Sequence, residues 1–333
     1  MGRTNVVVRK TGSRKVRKFE VTSRVFDPRA MKLLKQLCEI HAPSGNEIGM
    51  KDFLLKYVHK EKKKWKVKPD IFEGEDFQDC IILKFGQPRT AIFAHMDSIG
   101  FTVRYFNQLL PIGSPDAEMG TKLVGEDSHG TIECELEFDK ENHAFYKFGR
   151  QIDRGTELTY KINFRETKHF IQSAYLDNRL GIYSALKVAE TLKDGVIVFG
   201  CWEEHGGGSV PYLAKFIYEN WKINQALVSD ITWVSDGVEA GKGVAISMRD
   251  RNVPRKNYVS RIIAIAEKRK IDYQLEVEGS GSSDGRELQT SSYPINWCFV
   301  GAPEQNPHTP EEKVHKHDIK TMIELYGWLM KDL

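Results

Sequence analysis

Two adjacent carboxylates, Glu203 and Glu204, follow an apolar run, Val196 to Phe199 and then Gly200-Cys201-Trp202. Gly206-Gly207-Gly208 comes soon after them. The continuous run predicts a buried strand and the glycines a turn with backbone freedom, which places the pair at a strand end. Carboxylates there are unfavourable unless a positive charge lies beside them, and a metal ion is the simplest one. Successive residues on an extended chain point to opposite sides, so Glu203 and Glu204 are expected to play different roles.

Co-ligands are sought among polar residues at comparable places. His95-Met96-Asp97 closes the apolar run Thr90 to Ala94; residues two apart on an extended chain point the same way, so Asp97 can reach the His95 imidazole and fix its tautomer. Asp177 opens a helix carrying Tyr183, Leu186, Ala189 and Leu192 on one face, where it also suits an N-cap. Asp230 ends the strand Ala226-Leu227-Val228-Ser229, and His308 follows the last strand, Ile295 to Val300, through Gly301-Ala302-Pro303. In an α/β sheet the carboxyl ends of the strands share one crevice, so residues distant in sequence can converge there. Two imidazoles with several carboxylates suit two divalent metal ions, most simply zinc, with cobalt or manganese as alternatives. His205, beside the pair, is a candidate substrate contact; a solvated turn histidine is its plain alternative.

The elements that must position these residues alternate between helix and strand. Met31, Leu33, Leu34, Leu37 and Ile40 recur at helical spacing until Ala42-Pro43-Ser44-Gly45, and a second helix is expected to start near Asn46. Phe77 to Phe85 and Thr90 to Ala94 read as two neighbouring strands. Further helices are expected over Ser209 to Trp221, Asn257 to Lys270 and the stretch carrying Ile319, Met322, Ile323, Leu325 and Leu329. Between residues 101 and 171 helical periodicity disappears, and short alternating stretches are broken by Gly113, Gly120, Gly125, Gly149 and Gly155, the pattern of a small β-barrel or sandwich. The expected fold is α/β: a mixed-sheet catalytic domain of residues 1–100 and 172–333, with a basic extension at 1–28 and a β-rich unit inserted at 101–171.

With 333 residues, 40% of them hydrophobic and 11% aromatic, the chain can bury a large core. A formal net charge of +3 is too small to point to nucleic acid or membrane as partner. Arg9, Lys10, Arg14, Lys15, Arg17 and Lys18 surround Phe19 as their only aromatic neighbour, which makes no stacking platform and reads as a solvated arm. No apolar run approaches the roughly 20 residues that span a bilayer, and the start lacks a secretory hydrophobic segment, so a cytoplasmic location is expected. Five scattered cysteines, Cys38, Cys80, Cys134, Cys201 and Cys298, show no paired spacing and read as core residues.

In order and local wording the chain resembles the M42 aminopeptidases, the glutamyl-aminopeptidase and TET-type members of the peptidase clan that also holds the M20 and M28 families. The likeness runs from about Met31 to Leu329. It rests on Ala42-Pro43-Ser44-Gly45, His95-Met96-Asp97-Ser98-Ile99-Gly100-Phe101, Pro111-Ile112-Gly113, Leu176-Asp177-Asn178-Arg179, Glu203-Glu204, Ser229-Asp230, Gly241-Lys242-Gly243 and His308-Thr309-Pro310. The resemblance implies that Asp177 bridges two metals, with His95 and Asp230 completing one site and Glu204 and His308 the other. It makes Glu203 the general base and Asp97 the partner of His95. It implies a peptide as substrate, cleaved from its free amino terminus by a metal-activated water. The 101–171 unit would mediate homo-oligomers from dimers to dodecamers. The rival within the clan is a deacylase or carboxypeptidase.

Overall fold

The computed structural model describes residues 25–333, so the basic arm up to residue 24 lies outside the described residues. The first helix, α1 (Pro28–Glu39), starts where Asp27 accepts hydrogen bonds from the N–H groups of Arg29 and Ala30, a side-chain cap. It buries Met31, Leu33, Leu34 and Leu37, the stripe its spacing predicts, and α2 (Ile48–Glu61) follows. β1 (Asp70–Gly74) and β2 (Gln78–Phe85) then pair antiparallel, and β3 (Ala91–His95) ends at the first histidine of interest.

Six strands come next: β4 (Gly100–Val103), β5 (Leu109–Ile112), β6 (Lys122–Asp127), β7 (Gly130–Phe138), β8 (Ala144–Lys147) and β9 (Glu157–Tyr160). They form a separate antiparallel sheet in the order β5-β4-β9-β6-β7-β8. Its own core includes Phe101, Leu123, Leu136 and Leu158. Two short strands, β10 (Arg165–Glu166) and β11 (Phe170–Gln172), belong instead to the larger sheet, so the 101–171 segment returns to the main sheet before it ends.

The remaining chain alternates α3 (Leu176–Ala189), β12 (Gly195–Gly200), α4 (Val210–Trp221), β13 (Gln225–Trp233), β14 (Val244–Arg249), α5 (Lys256–Arg269), β15 (Tyr273–Val277), α6 (Asp284–Thr290), β16 (Asn296–Gln305), β17 (Lys313–His315) and α7 (Lys316–Asp332). The large sheet runs β1-β2-β12-β3-β13-β16-β17-β11-β10, with β14 on β16 and β15 on β14. It is mixed: β12, β3, β13 and β16 are parallel, while β2 is antiparallel to β12. The fold is therefore α/β with an added small β-sheet, as the sequence pattern predicts.

One expected neighbour relation is wrong. β2 and β3 do not pair with each other, because β12 lies between them. All six residues of β12 are buried, and a strand that is apolar on both faces belongs inside a sheet covered on both sides. Nor does the sequence pattern reveal β1, which among the described residues pairs with β2 alone. α3 is buried along its whole length and packs against β13 and β3 on one side and α1 and α7 on the other. Among the described residues no helix is long and apolar enough to cross a membrane, and all five cysteines are free and buried.

Candidate metal centre

β3 and β12 end level with each other, since Gly200 is the register partner of His95. Beyond Gly200 the chain does not stay extended. Trp202 takes a left-handed conformation with φ of 64°, and Glu203 and Glu204 sit in a turn, which corrects the expectation that they lie on a strand. The turn is held by Asp97, whose carboxylate accepts from the N–H groups of Glu203 at 3.1 Å and Glu204 at 3.0 Å. Ser44 donates its hydroxyl to the same carboxylate at 2.6 Å. Ser209 closes the other flank, accepting from Cys201 N–H and donating to Cys201 O.

Asp177 is not the cap of α3. Asn178 does that work, its Oδ1 accepting from Gly181 N–H at 2.8 Å while its Nδ2 donates to Ser229 O. The Asp177 carboxylate is thereby free to face two histidines. Its Oδ1 lies 3.2 Å from His95 Nε2 and its Oδ2 3.5 Å from His308 Nε2. Asp230 is inside β13 rather than at its end. On the β3 side the ladder stops at Val228 paired with Phe93, while on the β16 side it continues to Trp233 paired with Glu304. The Asp230 side chain can therefore turn toward the centre, and its Oδ2 is 3.5 Å from His95 Nε2. Glu204 Oε2 is 3.5 Å from His308 Nε2, and Glu203 Oε2 is 4.0 Å from His95 Nε2. The turn thus sends the two glutamates to different histidines.

Second contacts orient the rings. His308 Nδ1 is 3.1 Å from the carbonyl oxygen of Ser114. A carbonyl only accepts, so Nδ1 carries the hydrogen and Nε2 keeps its lone pair for the centre. The His308 carbonyl in turn accepts from Asp116 N–H at 2.9 Å and Tyr160 Oη–H at 3.2 Å, so the small sheet clasps this residue. His95 Nδ1 lies 3.4 Å from Asp97 Oδ1, longer than the three hydrogen bonds Asp97 makes to Ser44 and the turn.

The electrostatics are those of crowded acids. Burial, reinforced by Asp177, pushes Glu204 well above the usual carboxylate range; burial with Asp230, Asp284 and Asp177 does the same to Glu203 against the opposing pull of His95. Asp230 is pushed up to about 6 by burial and by Asp177. Asp177 behaves oppositely: burial would raise it, but His308 and His95 hold it well below the usual range. For His95, burial is outweighed by Asp230, Asp177 and Asp97, and the imidazole is raised. This is the acid and imidazole crowding that a divalent cation relieves.

The donor set fits such ions. His95, Asp177 and Glu204 offer ligand atoms all within 4.8 Å of one another. Glu204 Oε1 is buried without a hydrogen-bond partner, and nitrogen and carboxylate oxygen are the ligands that zinc and its neighbours take.

His205 does not line the cavity that opens over this centre; its Nδ1 accepts from Gly113 N–H at 3.0 Å, tying the turn to the small sheet. Sequence reading gave no role to Glu312, Glu304 or Arg179. Glu312 is fully buried and accepts from Asp177 N–H at 3.2 Å. Glu304 is fully buried with neither oxygen hydrogen-bonded among the described residues, and burial together with Glu312 pushes it far up. Arg179 is equally buried and donates from Nη1 to Asp97 O at 3.1 Å and also to Met96 O. In Glu311-Glu312-Lys313 a charged triplet has the pattern of a solvated face, and only the contact of Glu312, just before β17, with Asp177 N–H reverses that.

Residues 136–325 match the M42 glutamyl aminopeptidase family. The chain belongs to that family. This M42 chain is thus an aminopeptidase, a hydrolase of peptide bonds in a metal-dependent family. It is 26% identical over 330 residues to a protein of Acetivibrio thermocellus that carries an aminopeptidase name, covering 88% of this chain and 96% of the relative. Its fold is shared by an aminopeptidase of the archaeon Desulfurococcus kamchatkensis, with a TM-score of 0.79 at 21% identity, over 91% of this chain and 94% of the other. It is shared too by the TET1 peptidase of Pyrococcus horikoshii, with a TM-score of 0.75 at 19% identity, over 91% and 99%. That peptidase can assemble into a tetrahedron or a large octahedral shell.

Proposed function

We propose that this M42 chain is a dinuclear metal-dependent aminopeptidase that trims short cytoplasmic peptides from their amino ends. The observation that carries the reading is Asp177, with one carboxylate oxygen toward His95 and the other toward His308. Asp177 would hold both ions, His95 with Asp230 completing one position and Glu204 with His308 the other. Zinc fits best, with cobalt or manganese also compatible with nitrogen and oxygen ligands. Two such ions, when bound, supply a water acidified toward neutral pH and draw charge from the scissile carbonyl.

The chain's own residues do the rest. Glu203, on the His95 side of the turn, takes the proton of the attacking water and returns it to the leaving amine. Asp97 keeps Glu203 and Glu204 in their turn through the two backbone N–H groups. Acidic walls favour a free terminal ammonium over an internal peptide bond, which suits action from the chain end. The small sheet is proposed as the assembly unit of a homo-oligomer, a reading supported by the shell-forming structural relative.

The test is hydrolysis of aminoacyl p-nitroanilides by zinc-loaded protein beside a Glu203→Gln variant. The variant is expected to keep its metals and lose about 100- to 10,000-fold in turnover, the share of a positioned general base. Equal rates in the two proteins remove Glu203 from the mechanism. Turnover confined to N-acyl amino acids makes the chain a deacylase instead.

A further inference from the structure

The cavity over the metal centre has a volume of about 360 Å³ and extends well past the residues assigned to metals. β13 connects its two regions. Asp230 faces the centre, and Thr232, two residues along on the same face, donates its hydroxyl to Glu276. Two residues of strand advance about 6.6 Å, close to the reach of a lysine side chain. Ile231, Trp233 and Phe299 also line the cavity and offer apolar surface to a methylene stem.

The far region is acidic, and the cation beside it, Arg249, acts on Asp250 alone of its acids and gives its Nε to the Asp250 carbonyl. Glu276 is 4% exposed and lies within electrostatic reach of Asp250 and Glu278. Among the described residues the Glu278 carboxylate accepts from the Ser235 hydroxyl alone, at 2.8 Å. Asp284, also in the wall, is 3% exposed and has no hydrogen-bond partner among the described residues. Burial, reinforced by Asp230 and Asp97 against the pull of His95, pushes it up to about 7. None of these four acids forms an ion pair among the described residues. Of the two basic residues in the lining, His308 faces the metal centre and Arg286 is aimed at Glu287, 3.8 Å away. A buried carboxylate without a partner is unfavourable, and a charged donor entering the cavity satisfies it with the stronger class of hydrogen bond.

We infer that this cavity selects peptides whose first residue is lysine or arginine, with Glu276 and Glu278 receiving the side-chain cation and Asp284 completing the acidic wall. This rests on the aminopeptidase reading, because it takes the first side chain to lie beyond the metal centre. An uncharged side chain of the same length leaves the acids unmatched, and sites built for polar partners discriminate strongly against analogues that lack them.

The test compares lysyl and norleucyl p-nitroanilides, which share a stem and differ in the terminal ammonium, on zinc-loaded protein. The lysyl substrate is expected to have a kcat/KM at least about tenfold higher, as charge-assisted hydrogen bonds to carboxylates imply. Glu278→Gln, a partly exposed position where the isosteric amide is tolerated, is expected to shrink that ratio several-fold, chiefly through KM for the lysyl substrate. A norleucyl substrate as fast as the lysyl one overturns the inference and leaves the aminopeptidase reading standing. Calorimetric binding of lysinamide and norleucinamide to the same protein is the second arm, and it reports even where no substrate is turned over. Tighter binding of lysinamide is expected, and equal binding overturns the inference.

Discussion

At the scale of single residues, Asp97 does more than its place beside His95 suggests. The side chain is fully buried and its two oxygens accept from Ser44, Glu203 and Glu204. Asp97→Ala leaves two backbone N–H groups without acceptors, each worth roughly 1–3 kcal/mol when buried. A lowered urea midpoint with an unchanged m-value is expected, with Asp97→Asn milder because its remaining carbonyl oxygen still accepts. Wild-type stability in Asp97→Ala would show that the turn does not depend on this residue. The His-x-Asp spacing made Asp97 visible in the sequence, but its bonds cross more than a hundred residues of chain to the glutamate turn, and no local pattern records them. Asp177 shows the same limit: a carboxylate at a helix start and an asparagine beside it are both good caps, and only Ser229 of β13 and Glu312, just before β17, decide that Asn178 takes the capping role.

At the scale of elements, the sequence makes long periodic segments plain and their neighbours obscure. α1 and the stretches that become α4, α5 and α7 fall where apolar spacing predicts. β12 is recognisable as a buried strand, yet nothing in its own residues says that it separates β2 from β3. The Gly241-Lys242-Gly243 turn before β14 has a comparable long-range cause. Both oxygens of the buried Asp318, in the first turn of α7, accept from it: Gly241 N–H at 2.7 Å and Gly243 N–H at 2.8 Å. Gly243 has φ of 105°, and a Cβ there would meet Asp272 O at 2.2 Å, so only glycine fits this turn. Asp318→Ala is expected to destabilise the protein by roughly 2–6 kcal/mol, the sum of one buried and one part-buried donor left unmatched at about 1–3 kcal/mol each, measured by urea unfolding. A loss below about 0.5 kcal/mol, the range of an ordinary surface substitution, would mean that α7 does not anchor the turn.

At the scale of the whole molecule, two separate hydrophobic cores serve one centre. The large sheet presents His95, Asp230 and the glutamate turn at one edge of its parallel strands. The small sheet reaches over through Ser114, Asp116 and Tyr160 to fix His308. The break in periodicity after Phe101 announces the small sheet in the sequence; its grip on His308 depends on packing between the two sheets and leaves no mark there. What unites the parts is the claim that Asp177 joins two cations. Elemental analysis of chelator-stripped, zinc-reloaded protein tests it most directly. Wild type is expected to hold two zinc ions per chain, as two-metal hydrolytic centres do, while Asp177→Ala falls below one and stays folded by circular dichroism. Two tightly held ions in Asp177→Ala, or a wild type that saturates at one, would contradict the account.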